Sequence, residues 1–196
     1  MSGKVTPTYS SSFNVLDVGG NDGKRCREEF YPGAKVKVLD LKSGWDVMKH
    51  GIPFGNWDVI LANHSIEHFS DPDNFLENCR KVMRPNTILE IATPNLTAWF
   101  NRILFLFGYV PHSVELSKIC NVGKPFGWGK EPLGGHIYVY TIPALLELLR
   151  FHGFKVTSVK AEGSTYPCNI FIKLVDKLLT RLNPNFASAF RVKCTL

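Results

Sequence analysis

The chain has 196 residues, 44% hydrophobic and 20% charged, which suits one domain with a sizeable buried core. Its net charge of +6 comes from scattered Lys and Arg, so charge alone names no nucleic-acid or membrane partner. Five cysteines, an odd number without a C-x-x-C pair, exclude a zinc ribbon and a secreted disulfide framework; a polar start and no apolar run of spanning length make the chain read as cytoplasmic, with no transmembrane segment.

In chain order, residues 1–12 read as a flexible terminus. Phe13 to Val18 is a short apolar run ending in glycines, the pattern of a buried strand. Lys24 to Tyr31 forms a short helix stopped by Pro32-Gly33, and Ala34 to Asp40 a second strand. Trp57 to Asn63 is another buried strand. The helix from Asp73 to Met83 has Asp71 or Asp73 at its N-cap and Phe75, Leu76, Cys79, Val82 and Met83 on one face. Thr87 to Thr93 is a strand. Residues 96–135 are aromatic- and glycine-rich. Thr141 caps a helix that runs to Phe151 or His152, Phe154 to Ala161 is a strand, Ile170 to Leu182 an amphipathic helix and Ala187 to Thr195 a last strand. Strands alternating with helices give a mostly parallel, doubly wound α/β sheet with helices on both faces, which binds ligands at the carboxyl ends of its strands.

Chemistry is therefore sought after the first strand. Asp17-Val18-Gly19-Gly20-Asn21-Asp22-Gly23 leaves it through a glycine turn that brings backbone close to a ligand. Asn21 stands where the dinucleotide fingerprint G-x-G-x-x-G needs its second glycine, so that fingerprint is not met. Asn tolerates left-handed backbone, so the turn itself survives. Asp40, in Leu39-Asp40-Leu41, closes the second strand, where a carboxylate can accept both hydroxyls of a ribose. Asp46-Val47 then precedes Ile52-Pro53-Phe54, Trp57-Asp58-Val59-Ile60-Leu61-Ala62-Asn63 and Ser65-Ile66-Glu67-His68. Further on stand Phe75 to Pro85, Ile88-Leu89-Glu90-Ile91-Ala92-Thr93-Pro94-Asn95, and Gly135-His136-Ile137 with Tyr140-Thr141.

In order and spacing, residues 13–160 resemble the class I S-adenosylmethionine-dependent methyltransferases, in particular the branch acting on small metabolites, quinones and lipids. The resemblance implies a Rossmann-like fold and S-adenosylmethionine as cofactor. It assigns Asp17, Gly19, Gly20, Asn21 and Gly23 to the methionine part of the cofactor, Asp40 and Leu41 to the ribose end, Asp46 and Val47 to adenine, and Asn63 to the same pocket. Only Lys42-Ser43-Gly44 separate the second strand from Trp45-Asp46, too few for a crossover helix, so the third strand of the family is shortened or absent. A single domain is expected over 13–196, with 96–135 as an acceptor-binding insertion or lid. Trp99, Phe100, Phe105, Phe107 and Tyr109 lie there on an amphipathic helix with Arg102, and Phe126 and Trp128 lie between Lys124 and Lys130.

His64-Ser65-Ile66-Glu67-His68 also fits H-x-x-E-H, a zinc-protease signature that works only when both histidines share a helix face. Here it follows directly on a buried strand and is cut by Ser70-Asp71-Pro72, so no metal is assigned. If the acceptor is a hydroxyl, a histidine base suits it. His136 is the first candidate, His68 the second and His64 a weaker one. The acceptor is read as a small molecule, lipid or glycan. The alternatives are RNA methylation, prompted by the basic charge, and a non-catalytic cofactor- or partner-binding module.

Overall fold

The structure is a computed structural model that describes residues 8–125, 131, 134–163 and 170–196. Phe126, Trp128, Lys130, Cys168 and the first seven positions of the expected flexible terminus lie outside the described residues.

Six strands form one sheet: β1 (Asn14–Val18), β2 (Lys35–Leu39), β3 (Val59–Asn63), β4 (Ile88–Pro94), β5 (Lys155–Glu162) and β6 (Ala189–Thr195). Their order is β2-β1-β3-β4-β6-β5. β1, β2, β3 and β4 pair in parallel, and β6 runs antiparallel between β4 and β5. The edge strand β2 exposes Lys35 and Lys37, charges that discourage pairing with another chain.

Continuous apolar runs fill both faces, as parallel strands require. Leu16, Val18, Ile60, Ala62, Leu89 and Ile91 pack with Phe75, Leu76 and Cys79 of helix α2 (Pro72–Val82) and Leu145 and Leu149 of helix α4 (Ile142–Phe151). Val15, Val59 and Leu61 face the opposite cluster, with Cys26 and Tyr31. Asp71 caps α2 by accepting from the Asn74 N–H at 2.9 Å, and Thr141 caps α4 by accepting from the Ala144 N–H at 3.2 Å. The remaining helices are α1 (Val47–His50), α3 (Trp99–Leu106) and α5 (Ile170–Leu182). None is long and apolar enough to cross a membrane.

One feature departs from the reading of the sequence, and two refine it. The expected short helix after β1 is present, but it ends in one wide turn over Cys26–Phe30, with the Tyr31 N–H on the Cys26 carbonyl at 2.8 Å. Pro32-Gly33 stops it there, and the Tyr31 ring drops into the second core cluster. Residues 8–12 are docked rather than loose: the Tyr9 ring lies 4.7 Å from Phe13 and 5.0 Å from Tyr31, and its N–H bonds the Pro32 carbonyl at 2.8 Å. The sheet is mostly parallel, as expected, with β6 reversed. The short link after β2 behaves as expected: it holds the turn Leu41–Ser43 and α1, and no strand.

A buried charge cluster ties the strands together. The Arg191 guanidinium donates to Glu90 Oε1 at 2.7 Å, Glu162 Oε1 at 2.6 Å and Asn63 Oδ1 at 2.8 Å. Lys193 Nζ and the Tyr31 hydroxyl meet Glu90 Oε2 at 2.7 and 2.5 Å. Burial alone pushes the Glu90 pKa up, but the contacts with Lys193, Tyr31 and Arg191 outweigh it and hold the carboxyl below its ordinary value. Removing the guanidinium would leave Glu90 and Glu162 short of a cation in the sheet. Arg191→Met should cost about 3–5 kcal/mol in urea unfolding; a loss under about 1 kcal/mol, the scale of an exposed pair, would show that the cluster does not couple the strands.

Candidate active site

The carboxyl ends of β1 and β2 bring the expected cofactor residues together. Gly19 has φ +74, and a Cβ there would lie 2.5 Å from the Ser65 Cβ. A Cβ on Gly20 would lie 2.0 Å from the Asp17 carboxylate, so both positions need glycine for close approach, and Gly19 needs it for its left-handed backbone as well. Asn21 adopts φ 60, the left-handed backbone for which Asn substitutes. Its N–H donates to Asp40 Oδ2 at 2.9 Å, while Asp40 Oδ1 accepts from the Lys42 N–H at 2.9 Å. Gly23 closes the turn onto the Gly20 carbonyl at 2.8 Å, and Leu41 stands exposed beside Asp40.

Asp17 is 2% exposed, and its Oδ1 has no hydrogen-bond partner. Desolvation raises its pKa to about 6; the Arg27 charge partly offsets this and Asp40 adds to it. Asp46 caps α1 through the Met48 N–H at 3.0 Å. Val47 sends its side chain into the core, and its carbonyl accepts the Gly51 N–H at 3.0 Å. The Asn63 side-chain oxygen is committed to Arg191, so this residue serves the strand cluster first.

The end of β3 builds the other half of the site. His64 has φ 53 and the next turn, Ile66–His68, is a single 3-10 turn. His64 and His68 therefore do not share a helix face, and the protease geometry of H-x-x-E-H is absent here. Glu67 is 2% exposed. Its Oε2 accepts from the Thr93 hydroxyl at 3.0 Å; its Oε1 has no hydrogen bond and lies 3.4 Å from His64 Nδ1. The Glu67 carbonyl accepts the N–H groups of Ile137 and Tyr138 at 2.7 and 3.1 Å, which draws residues 134–138 over this turn. Glu115 Oε2 fixes the same segment by accepting from the Gly135 and His136 N–H groups at 2.8 and 3.0 Å.

His136 and His68 consequently meet, with ring centroids 4.9 Å apart. His136 Nδ1 lies 2.9 Å from the Ser113 carbonyl and His68 Nδ1 lies 3.2 Å from the Gly135 carbonyl. A carbonyl only accepts, so each Nδ1 carries a proton, and in the neutral imidazole Nε2 then keeps its lone pair. Sequence reasoning named both histidines but missed Ser65, Thr93 and Glu115, whose roles depend on contacts distant in the chain.

In the aromatic segment, Trp99 Nε1 donates to Asp176 Oδ1 at 3.0 Å, and Phe105, Leu106 and Phe107 are exposed. Lys124 is spent internally: its ammonium reaches the carbonyls of Pro111, His112 and Val114, and burial brings its pKa down to about 8. It does not stand free beside a base stack.

A parallel sheet with one reversed strand next to its edge, an Asp-glycine turn after β1 and an acid after β2 defines a class I S-adenosylmethionine-dependent methyltransferase. The family profile described as "Methyltransferase domain" matches residues 4–159, and the chain belongs to that family. A methyltransferase structure from Mesorhizobium loti superposes with TM-score 0.58 at 16% identity, covering 97% of this chain and 93% of that one, a likeness of fold. Among curated proteins, the "Ubiquinone biosynthesis O-methyltransferase" of Rhodopseudomonas palustris is 25% identical over 177 residues, covering 80% of this chain and 63% of the relative. That of Caulobacter vibrioides is 44% identical over 43 residues, 22% of this chain and 17% of the relative. The chain thus spans less than two thirds of the length of these curated relatives.

The raised pKa of Asp17 has a stability consequence. Below pH 3.8 the carboxyl is protonated in folded and unfolded chains alike; between there and about 6 the folded chain holds the proton and the unfolded chain does not; above about 6 the buried charge costs in full. Asp17→Asn should match the wild type near pH 3.5 and exceed it by about 2–3 kcal/mol at pH 7.5, read by denaturant unfolding across that range. A difference that does not grow with pH would show that Asp17 is ionised at little cost.

Proposed function

We propose that this chain transfers the methyl group of S-adenosylmethionine to a hydroxyl oxygen of a small-molecule acceptor. The observation that carries this reading is the meeting of His68 and His136, each with a lone pair on Nε2, beside the Asp17 turn. The link is direct, because Gly19 packs on Ser65 and Ser65 leads into the Glu67-His68 turn. A hydroxyl is a poor nucleophile until it sheds its proton, and a neutral imidazole near the operating pH suits that task. The printed names of the curated relatives, O-methyltransferases, support the same choice of acceptor atom.

The residues of the turn fit the cofactor on their own evidence. Asp17 Oδ1 is a buried carboxylate oxygen without a partner, placed to receive the ammonium of the methionine moiety. Gly19 and Gly20 leave no room for a side chain, and the glycine turn they form is where a ligand's backbone-facing edge can approach. Asp40 uses one lone pair on each oxygen for Asn21 and Lys42, which leaves the second on each for the ribose hydroxyls. Leu41 offers an exposed apolar side chain, and Asp46 with the Val47 backbone borders the adenine end. When bound, the cofactor supplies an electrophilic methyl on a sulfonium. The chain aligns the acceptor with it and excludes water, with the exposed aromatic face of α3 and residues 134–138 as the covering elements. His136 Nε2 accepts the hydroxyl proton, with His68 beside it.

Isothermal titration with S-adenosylmethionine tests the cofactor half. Micromolar binding is expected, weakened at least tenfold, or about 1.4 kcal/mol, by Asp40→Ala. No binding at millimolar cofactor would overturn the reading and favour a non-catalytic module. For the acceptor half, His136→Ala should lower kcat on a phenolic acceptor by about 100-fold or more while cofactor affinity stays unchanged. A large loss of cofactor affinity would make His136 structural instead.

A further inference from the structure

Glu67, His68 and His136 each offer one ligating atom, and these three atoms lie within 4.8 Å of one another. We propose that they form a binding site for a divalent first-row transition-metal cation. The proposal deepens the methyl-transfer reading, on which its role in catalysis rests, but the site itself stands on three independent features.

The first is electronic. Glu67 is buried, and its Oε1 has no hydrogen-bond donor. Both imidazoles give their Nδ1 protons to carbonyls, so what the neutral rings have left is a lone pair. Three groups that supply electron pairs thus crowd one small volume. Neither His68 nor His136 forms an ion pair with Glu67. His64 alone approaches it, at 3.4 Å and without hydrogen-bond alignment. A cation between the three groups converts mutual repulsion into bonding.

The second is the surrounding shell. Metal-bound histidines donate their other N–H to a carbonyl or carboxylate, and ligating carboxylates are themselves hydrogen-bonded. Here the Ser113 and Gly135 carbonyls hold the two imidazoles, and the Thr93 hydroxyl holds Glu67 Oε2. Glu115 also anchors the backbone on which His136 is carried. A general base needs one oriented histidine; this arrangement orients two, together with a carboxylate.

The third is the donor set. Two imidazoles and one carboxylate suit Zn²⁺, Mn²⁺ or Fe²⁺ better than Mg²⁺ or Ca²⁺, which take oxygen ligands. Three protein ligands leave coordination positions open, as catalytic rather than structural sites do. The open side can take an acceptor oxygen and lower its pKa, so that the hydroxyl proton is lost to solvent water and His136 Nε2 serves as a ligand instead of the base described above.

The test uses the full chain, stripped of metal by chelator dialysis and titrated at pH 7.5 with Co²⁺ followed optically and with Zn²⁺ by calorimetry. One equivalent of Co²⁺ with visible ligand-field bands, displaced by Zn²⁺, is expected. Glu67→Gln, His68→Ala and His136→Ala should each weaken Zn²⁺ binding by roughly 100-fold. Should the variant at the buried Glu67 fail to fold, His136→Ala, on a half-exposed loop, keeps the test decisive once circular dichroism matches the wild type. Failure of the wild type to bind one equivalent, or binding unchanged by both histidine variants, would overturn the site. S-adenosylmethionine titrated into the metal-free chain separates the two readings: cofactor binding without metal binding sinks the cation site alone, and metal binding without cofactor binding sinks the methyl-transfer reading alone.

Discussion

Glu90 sits near the middle of the sheet with Arg191 and the Tyr31 hydroxyl on its two oxygens and Lys193 completing the set. A carboxylate so buried costs several kcal/mol unless it is paired and hydrogen-bonded. The pairing comes from β6, whose register sets Lys193 opposite Glu90 and Arg191 opposite Ala92. One guanidinium then reaches Asn63 on β3, Glu90 on β4 and Glu162 on β5. A cross-link of this kind is sensitive to register: slipping β6 by one residue would turn both cations to the other face. The reversed strand is held in place by charge as well as by its ladder.

That constraint reaches the site through Asn63, the last residue of β3. Its side chain is held by Arg191, and the chain then turns sharply at His64, whose left-handed backbone starts the Ser65–His68 turn. Ser65 packs against Gly19, so the ends of β1 and β3 are set against each other with no room for a β-carbon. The Glu67 carbonyl then collects Ile137 and Tyr138 from a segment that sequence places far away. Sheet, glycine turn and covering segment form one chain of close contacts, and positions on it are more demanding than their exposure suggests.

The parts of this arrangement governed by neighbours in sequence were legible. The parallel strands β1, β3 and β4 announce themselves as apolar runs, Asp71 and Thr141 as caps, and Asp17, Gly19, Asn21 and Asp40 as a turn between strand ends. The short link after Asp40 correctly implied a missing strand. What was not legible depends on distant partners. Nothing near Arg191 marks it as the hub of a buried cluster, and nothing near Glu115 says that it holds Gly135. The docking of Tyr9 and Phe13 on Tyr31 is invisible in a polar, turn-rich start. His68 and His136 were named separately, for different reasons; that their rings touch follows from how residues 134–138 fold back. H-x-x-E-H carries no protease meaning here, because its spacing counts only on a helix and the chain there is a strand end followed by a single turn.

Three of the buried carboxylates among the described residues stand in contrast. Glu90 has both oxygens occupied by charged or hydroxyl donors, which is how this fold treats a carboxylate that serves structure. Asp17 and Glu67 are as deeply buried, yet each keeps an oxygen without a donor. A group left in that state costs about 1–3 kcal/mol or more, and a chain that can saturate Glu90 so fully had the means to saturate them. Both lie at the carboxyl edge of the sheet, one after β1 and one after β3, joined by the Gly19–Ser65 contact. Their deficit has the same sign: each lacks a positive partner. On the proposed reading the two partners differ in kind, an organic ammonium for Asp17 and a metal cation for Glu67, and that difference follows from their neighbours. Asp17 is surrounded by backbone and glycine, which shape a cleft for a molecule. Glu67 has two imidazole lone pairs beside it, which shape a point.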